Sequence, residues 1–268
     1  MVIDFHTHIF PDKIAEEAIK KLEENTNNQY KAFYNGSLSG LLKSMDYAGI
    51  DCAVICSIAT KPEQVPKITD WSISIKSNRI FPLGSIHPLY KNVNDELLRL
   101  KDNGITGIKL HPLYQNFNID EELIFSLYEA IIKNNFFILF HSGYDIAYGK
   151  MDNASPERIA KIKKKFPELK LVLAHLGGWE DWENVNKYLT SFDDLYFDTS
   201  FVFGMINDEL FDSIIKKIKI ENIFFATDAP WADQKKEKEF IIKYFKENAE
   251  KVLYQNAVAF LKMMKYEI

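Results

Sequence analysis

Val2-Ile3-Asp4-Phe5-His6-Thr7-His8 passes from apolar and β-branched residues straight into a pair of histidines. A short run of this kind reads as a buried strand whose C-terminal end carries chemistry. Side chains two apart share one face of a strand, so Asp4, His6 and His8 are expected to point one way and Ile3, Phe5 and Thr7 the other. Seven further runs repeat the apolar pattern, at 53–58, 81–86, 105–110, 136–140, 171–174, 195–197 and 223–226. Between them lie Lys/Glu-rich segments with apolar residues at helical spacing, at 120–134, 156–166, 207–219 and 233–249. Eight strands alternating with helices, at intervals near the ~30 residues of a βαβ unit, predict a single (β/α)8 TIM barrel over residues 1–268. The polar stretch 25–40 is expected to be a loop over one barrel end, and the tail after Ala249 one more helix packed outside. A doubly wound sheet is the competing topology, but no G-x-G-x-x-G follows any strand.

Composition sets the partners. The chain has 268 residues, 47% hydrophobic and 26% charged, with a formal net charge of −5, which is globular and mildly acidic. Neither nucleic acid nor an anionic membrane surface is expected to bind it. No apolar run approaches the ~20 residues of a membrane span, and no secretory leader is expected. Cys52 and Cys56 are too few for a disulfide framework and read as buried thiols, which suits a cytoplasmic protein.

All six histidines, His6, His8, His87, His111, His141 and His175, fall at or just past the C-terminal end of an expected strand. Barrel enzymes build their active sites at that end. One inward register brings His6, His8, His141, His175 and Asp228 toward the axis, with Lys109 and His111 beside them. An isolated H-x-H is a weak signal. Joined by a third histidine and a carboxylate it becomes a donor set suited to Zn²⁺ or a similar divalent ion.

Five motifs carry a resemblance: Asp4-Phe5-His6-Thr7-His8, Gly107-Ile108-Lys109-Leu110-His111-Pro112, Phe140-His141-Ser142-Gly143, Ala174-His175-Leu176-Gly177-Gly178 and Thr227-Asp228-Ala229-Pro230. In this order they resemble the amidohydrolase superfamily, in its amidohydrolase-related ("amidohydrolase 2") branch, over nearly the whole chain. The resemblance implies a distorted TIM barrel holding one divalent metal, zinc foremost, on His6, His8, His141 and Asp228. It implies that His175 stands beside the reacting water and that Asp228 moves its proton. Binuclear relatives use a carboxylated lysine on the fourth strand. Lys109 is placed for that, so a second ion on Lys109, His141 and His175 stays open. TatD-type nucleases carry a glutamate where this chain has Lys109 and His111, and PHP phosphoesterases pair their C-terminal Asp with a histidine that is missing here.

The chemistry expected is hydrolysis of an ester, lactone or amide of a small molecule. The branch also includes non-oxidative decarboxylases, the runner-up. These typically grip the substrate carboxylate with an arginine after the first strand, and residues 9–50 contain none. A barrel that binds without turnover is the third reading, and loss of a ligand would favour it. Lys109, His111 and Trp231 are the expected substrate contacts, with Trp179, Tyr114, Tyr144 and His87 as further candidates. Residues 198–200 are placed to orient metal-bound histidines. The lysines at 161 and 163–165 read as a solvated helix end, and a homodimer stays open.

Overall fold

The computed structural model describes residues 1–268. Eight parallel strands form the barrel: β1 (Ile3–Thr7), β2 (Cys52–Ile55), β3 (Ile80–Pro82), β4 (Gly107–Leu110), β5 (Phe137–Phe140), β8 (Lys170–Leu173), β9 (Leu195–Asp198) and β10 (Ile223–Phe224). They pair as two arcs, β1-β2-β3 and β4-β5-β8-β9-β10. Short parallel bridges close the circle at both seams, Gly84 to Ile108 and Thr7 to Ala229. At the second seam Phe5 N donates to Phe225 O (2.9 Å) and Asp228 N donates to His6 O (2.8 Å). Every strand expected from the sequence is present, and the TIM barrel is the fold.

The helices are α1 (Ala15–Asn25), α2 (Leu38–Ala48), α3 (Val65–Ile75), α4 (Val93–Asp102), α5 (Phe125–Asn134), α6 (Pro156–Lys165), α7 (Trp182–Tyr188), α8 (Asp208–Ile215), α9 (Gln234–Phe245) and α10 (Asn256–Met263). Local chemistry sets their ends. Ser37 Oγ accepts from Gly40 N to start α2, and Gly49 closes it at φ +65°. Asn207 and Asp233 cap α8 and α9 in the same manner. The expected loop runs from the end of α1 to the start of α2.

Three expectations need correction. The strict alternation read into β1 fails, because a bulge falls between Asp4 and Thr7. The extra residue turns Asp4 outward, where it accepts from Thr227 Oγ1 (2.6 Å) and from Gln234 Nε2 on α9 (2.8 Å). Phe5 and His6 then both face the interior. The C-terminal helix does not merely pack outside. From α10 Phe260 enters an aromatic floor with Phe5, Phe137, Tyr196 and Phe224, at centroid distances of 6.2, 5.0, 4.5 and 5.3 Å. Gly107 makes room for this floor, since a Cβ there would lie 2.3 Å from the Phe137 ring. The lysine run is not wholly solvated: Lys163 is buried, donates to Pro167 O and Leu169 O, and pairs with Asp194 at 2.6 Å.

One element was not foreseen. The hairpin β6 (Gly143–Asp145) and β7 (Gly149–Ala154) stands between β5 and α6, over the barrel mouth.

Candidate active site

Above the aromatic floor the barrel interior turns polar. His6 Nδ1 lies 2.9 Å from Asp198 Oδ2 at the end of β9. His175 Nδ1 lies 2.9 Å from Ser200 O, and His141 Nε2 lies 2.9 Å from Tyr144 O. A carboxylate and a carbonyl only accept, so each of these ring nitrogens carries its proton and donates. The other nitrogen, on a neutral ring, is then a bare lone pair aimed inward. His6 Nε2 faces His8 Nε2 at 3.1 Å and Asp228 Oδ1 at 3.4 Å, and His8 Nε2 is 3.0 Å from the same oxygen. His175 Nε2 and His141 Nδ1 meet at 3.2 Å. Lone pairs this close repel unless a cation stands among them. The His6–His8–Asp228 cluster therefore fits a divalent ion on the chemistry of its donors.

Electrostatics agree. Burial, helped by the Lys109 charge, pushes His6 well below its usual range, and burial does the same to His141, so both are neutral as ligands must be. Burial opposes ionisation of Asp228, but the facing His6 and His8 rings outweigh it and hold the carboxyl below the carboxylate range. Lys109 is fully buried, and burial lowers its pKa. Its Nζ lies 3.1 Å from His6 Nε2, so it competes for the lone pair an ion would use.

Backbone strain collects at the same place. His175 (φ +58°) and Asp228 (φ +66°) hold left-handed conformations that cost side-chain-bearing residues about 1–3 kcal/mol each. His175 N to Asp198 Oδ1 (3.0 Å) and Asp228 N to His6 O maintain them.

His141 does not join His6, His8 and Asp228 in one tight cluster. It groups instead with His111 and Asp145. The His111 and His141 rings are stacked, 4.0 Å apart and 11° from parallel. An ion must lie in the plane of each ring that ligates it, so one ion cannot serve both, and this trio reads as a polar wall. Asp145 is 3.4 Å from His111 Nε2. It was missed in the sequence because it lies on the unforeseen hairpin; the only signal was a carboxylate four residues before Gly149.

These groups line one cavity of about 890 Å³. Trp231, Trp179 and Tyr114 lie on its wall as expected, whereas Tyr144 and His87 do not. Tyr144 contributes its carbonyl to His141, and His87 Nδ1 accepts from Leu89 N. No arginine lines the cavity. Arg79 pairs with Asp46, Arg99 with Asp70 and Glu96, and Arg158 with Asp120 and Asp152.

The family model described as Amidohydrolase matches residues 3–263. The chain belongs to the amidohydrolase-2 family. Members of this family are metal-dependent enzymes, with hydrolases and decarboxylases among them. The amidohydrolase-2 barrel is similar to an uncharacterized TIM-barrel protein from Bordetella bronchiseptica (TM-score 0.75, 18% identity, 99% of each chain). It is also similar to a 5-carboxyvanillate decarboxylase from Novosphingobium aromaticivorans solved with bound manganese (TM-score 0.72, 13% identity, 98% of this chain and 97% of that one). A probable 2-pyrone-4,6-dicarboxylic acid hydrolase from Acinetobacter baumannii, with citric acid bound, gives a TM-score of 0.65 at 14% identity over 97% of this chain and 99% of that one. At these identities the likeness shows the barrel alone. No curated protein matches the sequence. No helix of the amidohydrolase-2 chain is long and apolar enough to cross a membrane.

Proposed function

We propose that this protein is a metal-dependent hydrolase that directs water onto an ester, lactone or amide carbonyl of a small molecule. The observation that carries the reading is the convergence of His6 Nε2, His8 Nε2 and Asp228 Oδ1, with the His6 lone pair fixed inward by Asp198. Two neutral nitrogens and a carboxylate suit zinc, with manganese and cobalt as comparators. A divalent ion held there supplies Lewis acidity, which lowers the pKa of water from 15.7 toward about 7.

The chain's own groups do the rest. Asp228 stays ionised and accepts the proton of the attacking water, then passes it to the leaving group. His175 lies 5.5 Å from the His6 ring, centroid to centroid, and orients water or polarises the carbonyl. Lys109 and His111 hold the polar end of the substrate, and Trp231 walls the cavity.

Decarboxylation is the second reading. It needs a grip on the departing carboxylate, and Lys109 is the only cation at the cavity floor. The absence of an arginine fork there favours hydrolysis. Burial also favours the neutral amine of Lys109, the form that adds carbon dioxide to become a carboxylated lysine. That would turn a competing cation into an anionic ligand and admit a second ion facing His141 and His175.

The test is a panel of esters, lactones and amides, with carboxylic acids alongside, given to zinc-, manganese- and cobalt-loaded protein. Acid release without gas supports hydrolysis. Carbon dioxide release without hydrolysis assigns the lyase reaction instead.

A further inference from the structure

The cavity is larger than the chemistry at its floor requires, and its charge is lopsided. Its only carboxylates, Asp145 and Asp228, sit at the deep end beside the histidines. Its outer half lies between two helices. From α1 come Ala18, Lys21 and Leu22, and from α3 come Lys67, Ile68 and Trp71. In both helices these positions recur at helical spacing, so each helix turns one face to the cavity. That face is apolar except for Asn25 at the end of α1 and the charged Lys21 and Lys67. Both lysines are exposed, and neither has a carboxylate within ion-pair distance.

We infer that the substrate is an elongated amphiphilic anion: a reacting carbonyl at His8 and Asp228, an apolar body between α1 and α3, and a carboxylate or phosphate end at Lys21 and Lys67. The inference rests on the hydrolase reading for the reacting end only. A short polar substrate would leave the apolar faces of α1 and α3 in water, and a neutral one would leave two cations beside an apolar tail.

Binding is titrated directly, and each probe is recovered and assayed for intact ester so that heats of cleavage are separated from heats of binding. Calorimetry on the metal-loaded protein compares monomethyl suberate, which has one anionic end, with dimethyl suberate, which is neutral and of nearly the same length. The monoanion should bind more tightly. A Lys21→Gln/Lys67→Gln variant should weaken it by about tenfold, as two exposed ion pairs would, and should leave the diester unchanged. Added salt should reproduce the loss in wild type. Equal binding of the two probes, or a variant that treats them as wild type does, overturns the inference. Expected binding with no ester cleavage upholds it and counts against hydrolysis. Phosphate-ended and carboxylate-ended probes of matched length then show which anion the lysines prefer.

Discussion

His6 illustrates how a proposed ligand would be prepared by an atom that never touches the ion. Its Nδ1 donates to Asp198, which fixes the tautomer, aims Nε2 inward and raises the basicity of the ring. Asp198 also takes Ser200 Oγ (2.5 Å), Ser200 N and His175 N, so one buried carboxylate positions both strand-end histidines. Asp198→Ala should lower metal affinity about 10–100-fold, read by competition with a chromophoric chelator, while circular dichroism shows the barrel intact. Asp228 has a different role. Asp228→Asn keeps the shape but removes the proton acceptor, and at saturating metal should cut turnover by about 10²–10⁴ while circular dichroism shows the barrel still folded. A fully active Asn variant would remove Asp228 from proton transfer.

At the scale of elements, β1 and the hairpin show what local sequence conceals. The eight apolar runs were legible because a parallel strand buried on both faces must be apolar throughout. The H-x-H pair was legible because its histidines interrupt such a run. The bulge that turns Asp4 away from His6 was not, since one extra residue leaves composition untouched and changes only which face follows. The hairpin was hidden for another reason. Gly143 to Ala154 is largely polar, and its pairing is set by tertiary contact: Trp179 N donates to Ser142 O (2.8 Å) and Tyr144 N to Trp179 O (3.0 Å). Gly143 sits at φ +88°, where a Cβ would fall 2.2 Å from Trp179 N. Gly143→Ala should therefore cost about 1–3 kcal/mol in urea unfolding. It should also lower activity, because the Tyr144 carbonyl that fixes His141 moves with the hairpin.

The packing of α9 on β1 makes a pH prediction of known sign. The Glu237 carboxyl has a buried Oε2 with no partner, and burial, with the nearby Asp4 charge, pushes its pKa up to about 9. The unfolded chain releases this proton near its ordinary value of 4.5 while the folded chain keeps it. Folding stability should therefore decline as pH rises from about 4.5 to about 9 and level off above that. Glu237→Gln carries no proton to lose, so it should flatten the profile and exceed wild type by more than about 1 kcal/mol at the alkaline end. Denaturation midpoints across that range, with matched slopes, make the comparison, and parallel profiles would show that the carboxyl is not held neutral.

At the scale of the whole molecule, the proposed metal site would double as the clasp of the barrel. His6 and His8 belong to the arc β1-β2-β3, whereas Asp228 follows β10 at the far end of the other arc. The two arcs meet there through a single bridge and a few hydrogen bonds, against full ladders elsewhere. An ion held by His6, His8 and Asp228 joins the first strand to the last, and any group that binds only the folded state adds to its stability. Purified protein should carry about one equivalent of divalent metal, or about two if Lys109 is carboxylated. Removing it with a chelator should lower the melting temperature, and adding back zinc should restore it, by about 2.7 kcal/mol at a hundredfold excess over the dissociation constant. The loss should not be spread evenly. Amide exchange should quicken first in β1 and in residues 223–229, where the seam opens, while β4, β5 and β8 stay protected until global unfolding. Uniform exchange in metal-free and metal-loaded protein would mean that the seam holds without its ion, and that the cluster of lone pairs is tolerated by the scaffold rather than joined by a cation.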